Sequence, residues 1–181
     1  MLDRLKQSAL NANVPIIKSE AENIIIQELN STKPKNVVEI WTAIWYSSLV
    51  MANTIQAWWG KLTTFEVSYI SYIQALENFH NFQQYNITAY NIDPLLIKLE
   101  KIFIKGKIDF LFIDAVMKFY LDFLLNFKDL LENNCIILLD NVVKFKSKTI
   151  SLYEFLEKNQ IDYKIFSVPP NDWIMKIVIK K

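Results

Sequence analysis

Apolar residues along this chain fall into two kinds of run. Some are short and nearly continuous, rich in Val, Ile and Phe; others are longer and return to an apolar position every three or four residues. Asn36-Val37-Val38-Glu39-Ile40 is the first short run, and the segments 61–66, 86–90, 108–113, 135–139, 163–168 and 174–179 follow it. Each reads as a strand. Between and before them, the helical period occupies 19–29, 46–57, 70–83, 94–102, 118–131 and 150–158. Ser19-Glu20-Ala21-Glu22 has the S-x-x-E form of a capping box and opens the first helix. Pro94 stands at the first turn of its helix, where its missing N–H costs nothing. Pro169-Pro170-Asn171-Asp172 supplies the turn between the last two strands.

Strands alternating with helices, and apolar on both sides, predict an α/β fold: a parallel sheet with helices on both faces. The two consecutive strands at the end place one antiparallel strand in that sheet. No repeat, Gly/Ser linker or low-complexity tract interrupts the pattern. One domain over 1–181 is therefore expected, with a helical segment over about 1–33 at its start.

Composition narrows the classes. Hydrophobic residues make up 52% of the chain, but Asn, Lys and Glu break them up. No stretch reaches the roughly 18 apolar residues of a membrane span. The amphipathic start, MLDRLKQSALNAN, has no apolar signal core, so a cytoplasmic protein is expected. The lone Cys135 excludes an internal disulfide and a cysteine metal site. A formal charge of +1 gives no global attraction for nucleic acid. Glycine is scarce: the chain has 2, where an average composition of about 7% gives roughly 13. Tryptophan, at 5, is plentiful.

Ligands of open α/β sheets bind at the carboxyl ends of the strands, beside the point where strand order reverses. Four such ends carry acids: Glu39, Glu66, Asp114 and Asp140. A single acid there often does no more than cap the next turn; four in register with the repeat favour a site. Glu66 follows Trp41 by 25 positions, near the spacing at which a carboxylate reaches a cofactor ribose. One carboxylate can accept bonds from both ribose hydroxyls. Asp114, Asp140 and Asn141 offer three hard oxygen donors, suited to Mg²⁺, Ca²⁺ or Mn²⁺ and poorly suited to zinc.

The stretches VPIIKSE, VVEIWTAIWYSS, KLTTFE, FIDA, Tyr120 and LLDNV resemble, in order and spacing, the metal-dependent, catechol-methyltransferase-like O-methyltransferases. The resemblance runs over about 13–181, and bacterial members acting on tRNA hydroxyuridine are the most similar. It implies a Rossmann-like class I methyltransferase fold, a mostly parallel seven-stranded sheet with the last strand antiparallel. It also implies that Glu39, Ser47 and Glu66 contact S-adenosylmethionine and that Asp93 lies near the adenine. Positions 41 and 45 and Asp114 would border the same ligand. Asp114, Asp140 and Asn141 match the family's ligands for a divalent cation, expected to be Mg²⁺. That cation would lower the pKa of the acceptor hydroxyl and hold it in line with the sulfonium methyl. A homodimer is common in such enzymes, although no residue pattern here specifies one.

Two departures stand out. The family reads D-A-x-K-x-x-Y, its lysine acting as general base or orienting group. Here Met117 holds that position and Lys118 follows it. Lys118 and Asp114 are thus the candidate catalytic residues, with Lys118 turned by about 100° on a regular helix. In the cofactor loop the family reads E-I-G-T-A-I-G-Y-S, and this chain has Trp41 and Trp45 at the two glycines. Glycine serves there because the backbone takes positive φ or closes on the ligand. Trp58 and Trp59 precede KLTT where glycine is frequent, and Trp173 follows Asp172 where a D-G turn is expected. All five tryptophans thus occupy glycine-like positions and none an evident core position. The expectation is a gene whose UGA codons mean glycine, consistent with an Asn-, Ile-, Lys- and Phe-rich composition. Read literally, the chain is instead a catalytically dead interaction protein on the same fold, its cofactor loop blocked.

Other residues carry less. His80 lies mid-helix, and the aromatics of 119–123 have packing spacing. Lys144, Lys146 and Lys148 read first as a solvated loop and second as a phosphate-contacting patch. The acceptor is accordingly a catechol-like small molecule or a hydroxylated wobble uridine in tRNA.

Overall fold

The computed structural model describes residues 6, 7, 11, 16–43, 45–143 and 146–180. Val14 and Pro15 of the VPIIKSE match lie outside them, as do most of the expected helical segment before residue 16, position 44 of the loop after the first strand, and Lys144 of the lysine patch.

Seven strands form one sheet: β1 (Asn36–Ile40), β2 (Lys61–Phe65), β3 (Ile87–Tyr90), β4 (Ile108–Ile113), β5 (Leu131–Leu139), β6 (Tyr163–Val168) and β7 (Asp172–Val178). Their order is β3-β2-β1-β4-β5-β7-β6. The pairs from β3 through β5 are parallel, and β7 runs antiparallel to both β5 and β6. This is the expected Rossmann-like arrangement, last strand reversed. The chain works outward from β1 to β3, then crosses back to place β4 on the other side of β1. The order therefore reverses between β1 and β4, which pair with Ile40 opposite Ile113.

Alternation along β4 shows why the sheet is covered twice. Phe110 and Phe112 pack into one core with Ile25, Leu29, Leu49 and Phe79. Leu111 and Ile113 join the opposite core with Phe123, Phe127, Leu152 and Leu156. Helices α1 (Ser19–Thr32), α2 (Tyr46–Ile55) and α3 (Tyr69–Asn81) cover the first face. Helices α4 (Tyr120–Phe127) and α5 (Ile150–Lys158) cover the second. A continuous apolar strand with neighbours on both sides is what a buried parallel sheet requires.

Four local expectations are corrected. No capping box forms: Lys18 is the N-cap of α1 and offers no side-chain bond. Ser19 Oγ instead accepts from Lys6 Nζ at 2.7 Å, while Glu22 accepts from the Tyr46 hydroxyl at 2.9 Å. Tertiary partners have taken both side chains. Segment 94–102 is not one helix but two 3₁₀ turns, Pro94–Leu96 and Leu99–Lys101. Asp93 caps the first by accepting from Leu95 N at 2.9 Å. The helix expected over 118–131 is a 3₁₀ turn (Met117–Phe119) followed by the shorter α4. The strand expected from Cys135 begins at Leu131, with a register irregularity against β4 between Ile108 and Phe110.

Candidate active site

The carboxyl ends of β1, β4 and β5 converge on a cavity of about 460 Å³. Beneath it lies Glu39, fully buried in β1. Hydroxyls of Ser47 and Ser48, from the first turn of α2, donate to its two carboxylate oxygens, and Thr64 Oγ1 of β2 donates at 2.7 Å. Burial raises the Glu39 carboxyl to about 7 against the opposing pull of these hydroxyls, and the nearby Asp114 adds to the rise. Glu39 thus ties β1 to α2 and β2, Thr64 Oγ1 also meets Thr42 Oγ1 of the following loop, and Ser47 lines the cavity.

Asp114 and Asp140, at the ends of β4 and β5, line the cavity with Asn141. Both carboxyls are raised by burial and by repulsion among Asp114, Asp140 and Asp172. Asn141 has a left-handed backbone, φ 60°. Its N–H and its side-chain amide donate to the two oxygens of Asp140, each at 2.9 Å. The Tyr120 hydroxyl, buried at the start of α4, donates to the Asp140 carbonyl at 2.9 Å. Among the described residues no three His, Cys, Asp or Glu side chains form a metal-holding group. The donor set is two carboxylates and an amide carbonyl, all hard oxygens, and the repulsion between the acids, offset in part by Lys18 and the Asn141 N–H, fits a divalent cation.

Two residues in this cavity escape a reading of the sequence. Asp172 opens β7 and is buried, and Lys18 Nζ lies 3.3 Å from its Oδ2. They are 154 positions apart, so no local pattern could have joined them.

A neighbouring apolar slot of about 130 Å³ is walled by Ile40, Phe65, Val67, Asp93, Ala115 and Phe119. Glu66, at the end of β2, is buried next to it in sequence. Its Oε1 accepts from Ser68 N at 2.7 Å, while its buried Oε2 has no hydrogen-bond partner among the described residues. Desolvation raises this carboxyl, opposed by backbone N–H groups. On the outer side an open cavity of about 610 Å³ is lined by Asp114, Val116, Met117, Lys118 and Lys148. Lys118 Nζ sits 4.6 Å from the Phe119 ring centroid. It lines this outer cavity and not the one that holds Asp140 and Asn141.

The tryptophans divide into two groups. Trp41 (φ 82°), Trp45 (φ 134°) and Trp59 (φ 63°) have the positive φ that suits glycine. Trp45, with ψ −24°, lies outside every region open to an L-residue. Trp41 borders all three cavities and is 37% exposed. Trp58 and Trp173 are absent from the left-handed positions. Trp58 is a 3₁₀ residue whose indole donates to Pro34 O at 2.7 Å, and Trp173 is a strand residue of β7 paired with Ser167. Trp45 also corrects the expectation that no tryptophan is core: it is 6% exposed, with its ring stacked 6.3 Å from that of Phe82.

A model of the O-methyltransferase family matches residues 1–161. Among solved structures, a Staphylococcus aureus protein assigned as a caffeoyl-CoA O-methyltransferase superposes with TM-score 0.84 at 20% identity, covering 98% of this chain and 91% of that one. An O-methyltransferase from Bacillus cereus in complex with SAH gives 0.82 at 19% identity, covering 98% and 90%. TomG from Streptomyces achromogenes, an O-methyltransferase of tomaymycin synthesis in complex with SAM, gives 0.83 at 16%, covering 98% and 88%. At these identities the superpositions establish the fold.

Proposed function

The chain belongs to the O-methyltransferase family, and on that premise we propose that it moves a methyl group from S-adenosylmethionine to an acceptor hydroxyl, assisted by a divalent cation. The buried, unpartnered Oε2 of Glu66 carries the reading. A desolvated carboxylate oxygen without a donor is costly, and a ribose hydroxyl at the end of β2 would supply one. The apolar slot beyond it suits an adenine ring, with Asp93 at its edge. Ser47 and Asp114 then face the methionine end of the ligand.

S-adenosylmethionine brings a methyl group activated on a sulfonium. A cation held by Asp114, Asp140 and Asn141, with Mg²⁺ the best match to three hard oxygens, would favour the ionised acceptor oxygen. The chain's own contribution is placement. The Glu39 hydroxyl network holds the loop, Asn141 orients Asp140, and Tyr120 anchors the Asp140 backbone. The open cavity beside Asp114 accommodates the body of either a catechol-like ring or a hydroxyuridine of tRNA, the latter favoured by Lys148 at its wall, and the reacting hydroxyl would reach past Asp114, which borders both cavities, into the inner one. No helix among the described residues is long and apolar enough to cross a membrane.

Trp41 sits between the cavities and favours a second reading, an interaction protein whose cofactor loop is obstructed. The positive φ at 41, 45 and 59 supports glycine as the encoded residue there; the backbone at 58 and 173 carries no such argument. Calorimetry with S-adenosylhomocysteine separates these readings, using this chain and a variant with Trp41→Gly and Trp45→Gly. Binding by either supports the methyltransferase, and binding by neither overturns it. UGA codons at 41, 45 and 59 are expected in the gene; UGG at those positions would sink the recoding.

A further inference from the structure

We propose that Lys18 supplies the cationic side chain that holds the acceptor's reacting oxygen as an anion. The inference rests on the methyl-transfer reading above and adds to it a residue outside the Asp114–Tyr120 run.

Three observations converge. First, neither residue of that run at or beside the lysine position faces the inner cavity. Met117 and Lys118 line the outer cavity, and Lys118 Nζ is seated against the Phe119 ring. Second, Lys18 is the one cationic side chain among the described residues lining the inner cavity, which it shares with Asp114, Asp140, Asn141 and Asp172. Third, Lys18 is built to stay there. Its carbonyl accepts from Glu22 N at 2.9 Å as the N-cap of α1, and Ile17 before it is buried.

An ammonium group has three donors. The 3.3 Å contact with Asp172 uses one of them, and the side chain remains 38% exposed. At least one N–H is therefore available to the cavity. Charge supports the same role. Three carboxylates face a divalent cation and one lysine, which leaves the acceptor's oxyanion balanced by the sulfonium. Without Lys18 the oxyanion would meet an excess of negative charge among three carboxylates. Lys18 therefore holds the ionised form, and the hydroxyl proton leaves to solvent when the acceptor binds.

The test is titration of the full chain with 4-nitrocatechol in the presence of MgCl₂, following the absorbance of the ionised ring. Lys18→Gln keeps a donor for Asp172 and removes the charge; Lys18→Arg keeps the charge. Lys18→Gln is expected to weaken binding at least tenfold and to lower the ionised fraction of bound ligand, with Lys18→Arg within threefold of the parent. A lysine that merely neutralises Asp172 predicts the reverse: Lys18→Gln binds Mg²⁺ more tightly and 4-nitrocatechol unchanged. That outcome overturns the inference alone, as does a loss seen with Lys118→Met in place of Lys18→Gln. Absence of Mg²⁺-dependent 4-nitrocatechol binding by the parent chain overturns the inference, while the calorimetry with S-adenosylhomocysteine reports separately on the methyl-transfer reading.

Discussion

The hydroxyl of Tyr120 donates to the backbone carbonyl of Asp140 at 2.9 Å, joining the first residue of α4 to the end of β5. Both groups are buried, so the bond adds a tie from α4 to a strand end that already pairs with β4 and β7. Tyr120→Phe leaves the carbonyl unsatisfied, and a loss of about 1–3 kcal/mol is expected in urea unfolding. A change below 0.5 kcal/mol would show that water replaces the phenol.

Glu66→Gln tests the cofactor reading at its strongest point. The amide has the same shape but a weaker acceptor, so S-adenosylhomocysteine affinity should fall about tenfold or more. Calorimetry reads this directly, and unchanged affinity would place the ribose elsewhere.

Glu39 makes stability depend on pH. Its carboxyl is raised from 4.5 to about 7 in the fold, so the folded chain holds that proton more tightly than the unfolded chain does. The associated stability is complete below about pH 4.5 and is lost as pH rises through 7, on the order of 3 kcal/mol in all. Glu39→Gln has no such proton. Plotted against pH from 4.5 to 8, unfolding free energies of parent and variant should diverge, the parent falling relative to the variant. Parallel curves would mean that the three hydroxyl donors keep Glu39 ionised throughout.

Trp59 is 88% exposed and has φ 63°. Its indole is mostly in solvent, while its backbone carries the left-handed cost of a side chain. Trp59→Gly should stabilise by about 1 kcal/mol, a rise of about 2–4 °C in Tm for a domain of this size. A fall in Tm would mean that the indole packs in solution.

Much of the fold was legible because its signals are local. Short, nearly continuous apolar runs such as Ile108–Ile113 read as buried strands when helical segments flank them, and all seven strands were placed within a few residues. Turn chemistry was less legible. Pro94 suits a helix start, but whether the turn continues as α or stops as 3₁₀ depends on what packs over it. Ser19 and Glu22 have the spacing of a capping box, yet Lys6 and Tyr46 compete for the same atoms from outside the helix.

The sequence by itself determined the strand and helix periods, the acids at four strand ends and the scarcity of glycine that marks the loop after β1. Those features depend on residue type and on spacing within one element or its neighbours. Tertiary structure alone decided that Asp172 joins Asp114 and Asp140, and that Lys18 reaches them across 154 positions. It also set Lys118 against Phe119 at the outer cavity and left Glu66 Oε2 without a donor among the described residues. The reason is topological: the site forms where strand order reverses, so its walls come from segments that meet only once the sheet has closed.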